Sequence, residues 1–161
     1  MAENFEQRIR RLEDIESIKR LKARYCYLVD AGIGGDESKW DELMACFTDD
    51  ARADFEFYGV HEGKRAVAAF FKEIVASALS YSAHMVTNPL IEVNGDTATG
   101  KWYFHVPCTG RATNTAGWLQ GRYEEEYVRI DRQWKWKSIT TRFDHITPFD
   151  VGWVKTRFAS M

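Results

Sequence analysis

An α+β domain, with helices first and an antiparallel sheet after them, is what this sequence predicts. Three observations carry that prediction. Apolar residues recur at helical spacing in the first half of the chain, the period drops to two from Tyr81 onward, and turn residues cut the second half into segments of hairpin length. With 161 residues, one domain is expected, able to bury roughly 70% of its unfolded surface without a metal or a disulfide.

From Ile9 the apolar positions Leu12, Ile15, Ile18, Leu21, Tyr25, Leu28 and Val29 form one stripe of helical period, a long amphipathic helix. Three glycines in Ala31-Gly32-Ile33-Gly34-Gly35 predict its end near Asp30. Ser38 can cap a short second helix carrying Trp40, Leu43, Met44 and Phe47. After the Asp49-Asp50 turn, Ala51 to Tyr58 reads as a strand. Gly59 to Gly63 reads as a turn into a helix from Lys64 to Ala78, with Val67, Phe70, Phe71, Ile74 and Val75 inward.

Four strands are then expected: Tyr81 to Val93, Thr97 to Pro107, Trp118 to Ile130 and Gln133 to Phe143. Asn94-Gly95-Asp96, a looser Thr109 to Gly117 stretch and Asp131-Arg132 connect them. Six Trp, seven Tyr and ten Phe supply rings to both faces of such a sheet, which can curl and leave a pocket between itself and the helices.

Composition excludes several classes of function. Twenty-two Lys and Arg against 24 Asp and Glu leave a net charge of −2, which argues against a basic nucleic-acid surface. No apolar run reaches 18 residues and the first 16 residues lack an apolar signal region, so the expectation is a soluble, cytoplasmic chain without a membrane partner. Cys26, Cys46 and Cys108 show no C-x-x-C spacing and read as buried thiols of a reducing compartment. The four histidines are too scattered to suggest a metal site, and neither metal nor cofactor is expected.

The chemistry-bearing residues sit at defined places. His84, in Ala83-His84-Met85, is a strand imidazole, the side chain that carries protons near neutral pH. Asp30 lies in the last turn of the first helix, where a carboxylate is electrostatically disfavoured but can orient an imidazole. Tyr25 belongs to the apolar stripe, about 140° around the helix from Asp30. It either packs in the core or offers its hydroxyl to a substrate oxygen. On the third strand Trp102, Phe104, Val106 and Cys108 form the inward series, which leaves His105 on the opposite face. On the last strand Arg142 follows Trp134, Trp136, Ser138 and Thr140 at even spacing. A guanidinium among rings requires a carboxylate, a substrate anion or a phenolate as partner.

The element order, the spacing Tyr25-x-x-x-x-Asp30 and the segment Trp40-Asp41-Glu42-Leu43-x-x-Cys46-Phe47-x-x-Asp50-Ala51 together resemble the SnoaL-like branch of the nuclear transport factor 2-like superfamily. Within it, the chain resembles the cofactor-free lyases, typified by bile-acid 7α-dehydratase, scytalone dehydratase and hexachlorocyclohexane dehydrochlorinase. The resemblance implies a cone-shaped curled sheet around an apolar pocket. It implies catalytic roles for Tyr25, Asp30, His84 and Arg142, and a pocket lined by Phe55, Trp102, Phe104, Val106 and Cys108. It also exposes departures, because Val106 stands where the bile-acid enzyme has an aspartate. Cys108 and Phe55 stand where scytalone dehydratase has a histidine and a tyrosine.

The expected function is a cofactor-independent lyase of dehydratase type, acting on a small cyclic or aromatic hydroxylated substrate in a homodimer or homotrimer. Two other readings stay open. One is a non-catalytic ligand binder or the small structural subunit of an aromatic-ring dioxygenase. The other is an isomerase, cyclase or C–C lyase on the same fold.

Overall fold

The computed structural model describes residues 4–159. Helix α1 (Phe5–Ile33) begins four residues before the apolar stripe because Asn4 and Gln7 form a reciprocal cap: the Asn4 side chain accepts from the Gln7 backbone N–H, and the Gln7 side chain accepts from that of Asn4. The helix also runs through Gly32 instead of stopping at it. A Cβ at Gly32 would lie 2.5 Å from the Trp40 indole, so this glycine lets helix α2 (Ser38–Met44) pack against α1. Ser38 does not cap α2 through its side chain; its hydroxyl donates to Asp36 instead.

The buried face of α1 departs from the expected stripe. Ile9 and Leu12 are exposed, while Asp14 and Lys22 are buried. Both charged groups find partners on the sheet that compensate their desolvation. Asp14 Oδ1 accepts from the Arg129 guanidinium and from Trp134 Nε1, and Lys22 Nζ donates to Glu125 at 2.5 Å.

Strand β1 (Phe47–Asp54) starts earlier than expected. A short 3-10 turn (Glu56–Tyr58) follows, and the segment expected to be a turn, Gly59 to Gly63, contains strand β2 (Val60–Glu62), antiparallel to β1. Helix α3 (Lys64–Ala69) widens into a π-helical stretch (Phe70–Val75) and ends in the helical turn α4 (Ala76–Ala78). Widening of this kind often marks a functional wall. Here Phe70, Phe71 and Val75 all face the interior cavity.

The sheet is completed by β3 (Leu79–Ser82), β4 (Met85–Asn94), β5 (Thr97–Gly110), β6 (Ala116–Ile130) and β7 (Gln133–Pro148), in the order β2-β1-β7-β6-β5-β3, with β4 also on β5. It is antiparallel except where β1 runs parallel to β7. No hairpin joins that pair, so no tight turn dictates its direction. The long strands curl into a half-barrel around α1. The hairpin between β6 and β7 turns on Asp131 and Arg132, both at positive φ.

One irregularity decides which side chains face inward. Between β6 and β7 the register moves from Tyr127↔Trp136 to Glu126↔Ser138, so Lys137 is an extra residue on β7. The inward series of β7 therefore changes from Trp134 and Trp136 to Ile139 and Thr141, all buried. Ser138, Thr140 and Arg142 are carried to the outer face.

Candidate active site

Asp30 sits one turn before the end of α1, and β3 and β4 pass beside it. The ladder from β3 to β4 keeps one register along β5, with Ser82 opposite Cys108 and Met85 opposite His105. It is interrupted at His84 because the His84 backbone N–H leaves the sheet and donates to Asp30 Oδ2 at 2.8 Å. Ser82 and His84, two residues apart, share a face. Ser82 Oγ donates to Asp30 Oδ1 at 2.5 Å, and His84 Nδ1 stands 2.6 Å from the same oxygen. Burial raises the Asp30 pKa, but these hydrogen bonds and the His84 imidazole outweigh it and hold the carboxyl below its ordinary range. With an ionised Asp30 accepting from Nδ1–H, the neutral imidazole keeps its lone pair on Nε2.

His84 lines a cavity of about 110 Å³ between the sheet, α1 and the α3 segment, close to the space that accepts one aromatic ring. Its walls are apolar, with Phe55 stacked on Phe70 at 4.3 Å and Phe104 and Val106 from β5. Tyr58 and Ile74 line it while remaining 43% and 42% exposed, which puts them at its rim. Tyr25 reaches the cavity directly, its ring edge-on to His84 at 6.0 Å between centroids. The 140° between Tyr25 and Asp30 is thus resolved without unwinding α1: the tyrosine faces the cavity, and the aspartate reaches it through His84.

Beneath Tyr25 lies a charged array that sequence reasoning missed. Lys22 Nζ is 3.6 Å from the centroid of the Tyr123 ring and 4.5 Å from that of Tyr25. Glu125 pairs with Lys22 and also accepts from the Tyr127 hydroxyl, which accepts from Trp102 Nε1 at 3.1 Å. The available signal was the alternation Tyr123, Glu125, Tyr127 on β6, which puts a carboxylate among inward rings. Burial, ahead of every other influence, pushes the pKa of both Tyr25 and Tyr123 far above the ordinary phenol range.

Five of the expected site residues surround the cavity: Tyr25, His84, Phe55, Phe104 and Val106. Asp30 stands behind His84. Trp102 and Cys108 point inward as expected but do not line the cavity. Trp102 is committed to Tyr127, and the Cys108 thiol, its pKa pushed up to about 12 by burial, lies 3.6 Å from the Gly117 carbonyl. Arg142 is a correction: the Lys137 bulge turns its side chain outward, where it is 48% exposed and grips both oxygens of Asp54 at 3.0 Å. His105 lies on the face opposite that series, over Trp118. Among the described residues no group of three or more His, Cys, Asp or Glu is placed to hold a metal ion, and no helix is long and apolar enough to cross a membrane.

A family model described as a SnoaL-like domain matches residues 10–140. Solved structures with this fold include a hexachlorocyclohexane dehydrochlorinase, LinA-type3 of Novosphingobium barchaimii LL02, at 23% identity and a TM-score of 0.76, covering 86% of this chain and 92% of that one. A provisionally named scytalone dehydratase of Novosphingobium aromaticivorans aligns at 22% identity and a TM-score of 0.76, covering 86% and 89%. A provisionally named aromatic ring hydroxylase of the same species aligns at 28% identity and a TM-score of 0.75, covering 85% and 94%.

Proposed function

Because the chain belongs to the SnoaL-like domain family and carries a paired imidazole and carboxylate on its interior cavity, we propose that it is a cofactor-independent lyase. It eliminates a leaving group, water in the simplest case, from a small cyclic or aromatic hydroxylated substrate.

The observation that carries this reading is the placement of His84, with Nδ1 committed to Asp30 and its ring on the cavity. His84 Nε2 takes a proton from carbon next to a carbonyl or aromatic system. The electron pair of that C–H bond becomes the new double bond as the C–O bond breaks, and the departing oxygen recovers the proton from the imidazolium as water. Asp30 stabilises the imidazolium, and the Tyr25 hydroxyl donates to oxygen that gains charge. A positioned base contributes about 10² to 10⁴ in rate, and a positioned donor can contribute on the order of 10² to 10³ more. Two neighbours bear the names of elimination enzymes, so elimination is the first acid–base reaction to test.

A second reading, a subunit or binder within a ring-hydroxylating system, draws on the neighbour at 28% identity. One experiment separates the two. Purified protein is incubated with a panel of hydroxylated cyclic ketones and benzylic ring alcohols, with and without a chelator, and products lacking one water are sought by mass spectrometry. The lyase reading expects chelator-resistant dehydration by the wild type and none by a folded His84→Ala variant. Dehydration that survives His84→Ala removes His84 as the base, and none by the wild type on any member of the panel favours the second reading.

A further inference from the structure

The cavity wall facing α1 carries polar groups that the proton-transfer pair does not use. Tyr123 on β6 and Thr141 on β7 are direct cross-strand partners on the inner face of the sheet, and both line the cavity. Thr141 is 2% exposed, and its Oγ1 is buried without a hydrogen-bond partner among the described residues. An orphaned hydroxyl of this kind is destabilising unless something completes it. The Tyr25 and Tyr123 rings meet edge-on at 6.3 Å, with the Lys22 ammonium against both faces. A cation on the face of a phenol draws electron density from the ring and strengthens its O–H as a donor. Among the described lining residues there is no Asp, Glu, Lys or Arg, so a charged ligand would be buried without a counter-ion.

We infer that Tyr25, Tyr123 and Thr141 form an oxygen-binding subsite for the hydroxyl or carbonyl of an uncharged, single-ring ligand. The inference deepens the lyase reading and rests on it for the use made of the subsite, but its test requires no turnover. Both phenols stay protonated across the physiological range and the Tyr123 hydroxyl donates to that of Tyr25, so the subsite offers the Tyr25 O–H, polarised by Tyr123 behind it, and no anion. Thr141 can donate or accept, so an alcohol or phenol oxygen satisfies it as well as a ketone does. The subsite orients the ring by its oxygen and leaves the rest against the phenylalanine walls.

The test compares phenol with benzene, rings of nearly equal size that differ by one oxygen. Dissociation constants are measured by titration calorimetry for the wild type, Tyr123→Phe, Thr141→Val and Thr141→Ser. The wild type binds phenol more tightly than benzene. Tyr123→Phe and Thr141→Val each weaken phenol about threefold to tenfold, the range of one lost hydrogen bond, and leave benzene unchanged. Thr141→Ser restores phenol binding. Unchanged benzene binding also reports that each variant is folded. Phenol affinity unchanged in either apolar variant, or a wild type that does not prefer phenol, overturns the subsite. If the wild type prefers phenol as described but dehydrates no member of the substrate panel, the lyase reading fails while the subsite stands.

Discussion

Asp30 holds His84 at two points, with one carboxylate oxygen 2.6 Å from the ring nitrogen Nδ1 and the other 2.8 Å from the backbone N–H. The two contacts fix both the position of the strand and the rotation of the imidazole. They make Asp30 an orienting group that acts through His84, since it is the imidazole that lines the cavity.

Replacing Asp30 by Asn keeps the shape of the contact but removes the charge and the preference for a protonated Nδ1. Steady-state kinetics of Asp30→Asn should show kcat lower by about 10² to 10⁴, with KM nearly unchanged. An unchanged kcat would remove the carboxylate from the mechanism.

The same carboxyl predicts acid sensitivity. Its folded pKa lies below its ordinary value of 3.8, so its contribution to stability is present above that value and is lost as pH falls through the folded one. Ser82→Ala removes one donor and moves the folded pKa back toward 3.8. Ser82→Ala should therefore be less stable than the wild type in urea unfolding at pH 7, and the gap between the two should narrow as pH falls below 3.8 and the Asp30 carboxyl protonates in both.

The buried ion pair makes a separate prediction about stability. Glu125→Leu leaves the Lys22 ammonium buried without its counter-ion and should cost about 3–5 kcal/mol in urea unfolding. Lys22→Met with Glu125→Leu should recover most of that loss, because two apolar side chains in place of a buried pair are close to neutral. Equal stabilities of the single and double variants would show that the pair is not coupled.

Arg142 is expected to matter little. Its bidentate contact with Asp54 is half exposed, and such pairs contribute about 0–1 kcal/mol. Arg142→Ala should keep its turnover within about threefold of wild type and lose at most that much stability. A loss of turnover near 100-fold would return Arg142 to the site.

The order of elements was legible because helical and strand periods leave separate marks in the apolar pattern, and Asp30 and His84 were legible because each stood out in its element. A carboxylate at a helix C-terminus and a histidine at the start of an expected strand, within Ser82-Ala83-His84-Met85-Val86, both call for an explanation. Arg142 was misread for a physical reason: alternation along β7 holds only until the Lys137 bulge, which inverts the side chains from Ser138 to Phe143 until a second bulge at Asp144 shifts the phase again, and nothing in the residue types near Lys137 marks that inversion. Lys22 was missed because a helical stripe scored on apolar residues assigns a lysine to solvent. Its burial follows from a carboxylate more than 100 positions away in the chain and from rings that only the closed sheet brings around it.

Whether Asp30 leaves His84 with a proton-accepting Nε2 can be measured without a substrate. Nitrogen-15 NMR of labelled protein, at a pH where the ring is neutral, distinguishes the two imidazole tautomers. His84 should carry its proton on Nδ1, in a strongly hydrogen-bonded signal that disappears in Asp30→Asn. A His84 protonated on Nε2 in the wild type, with Nδ1 bare, would contradict that arrangement.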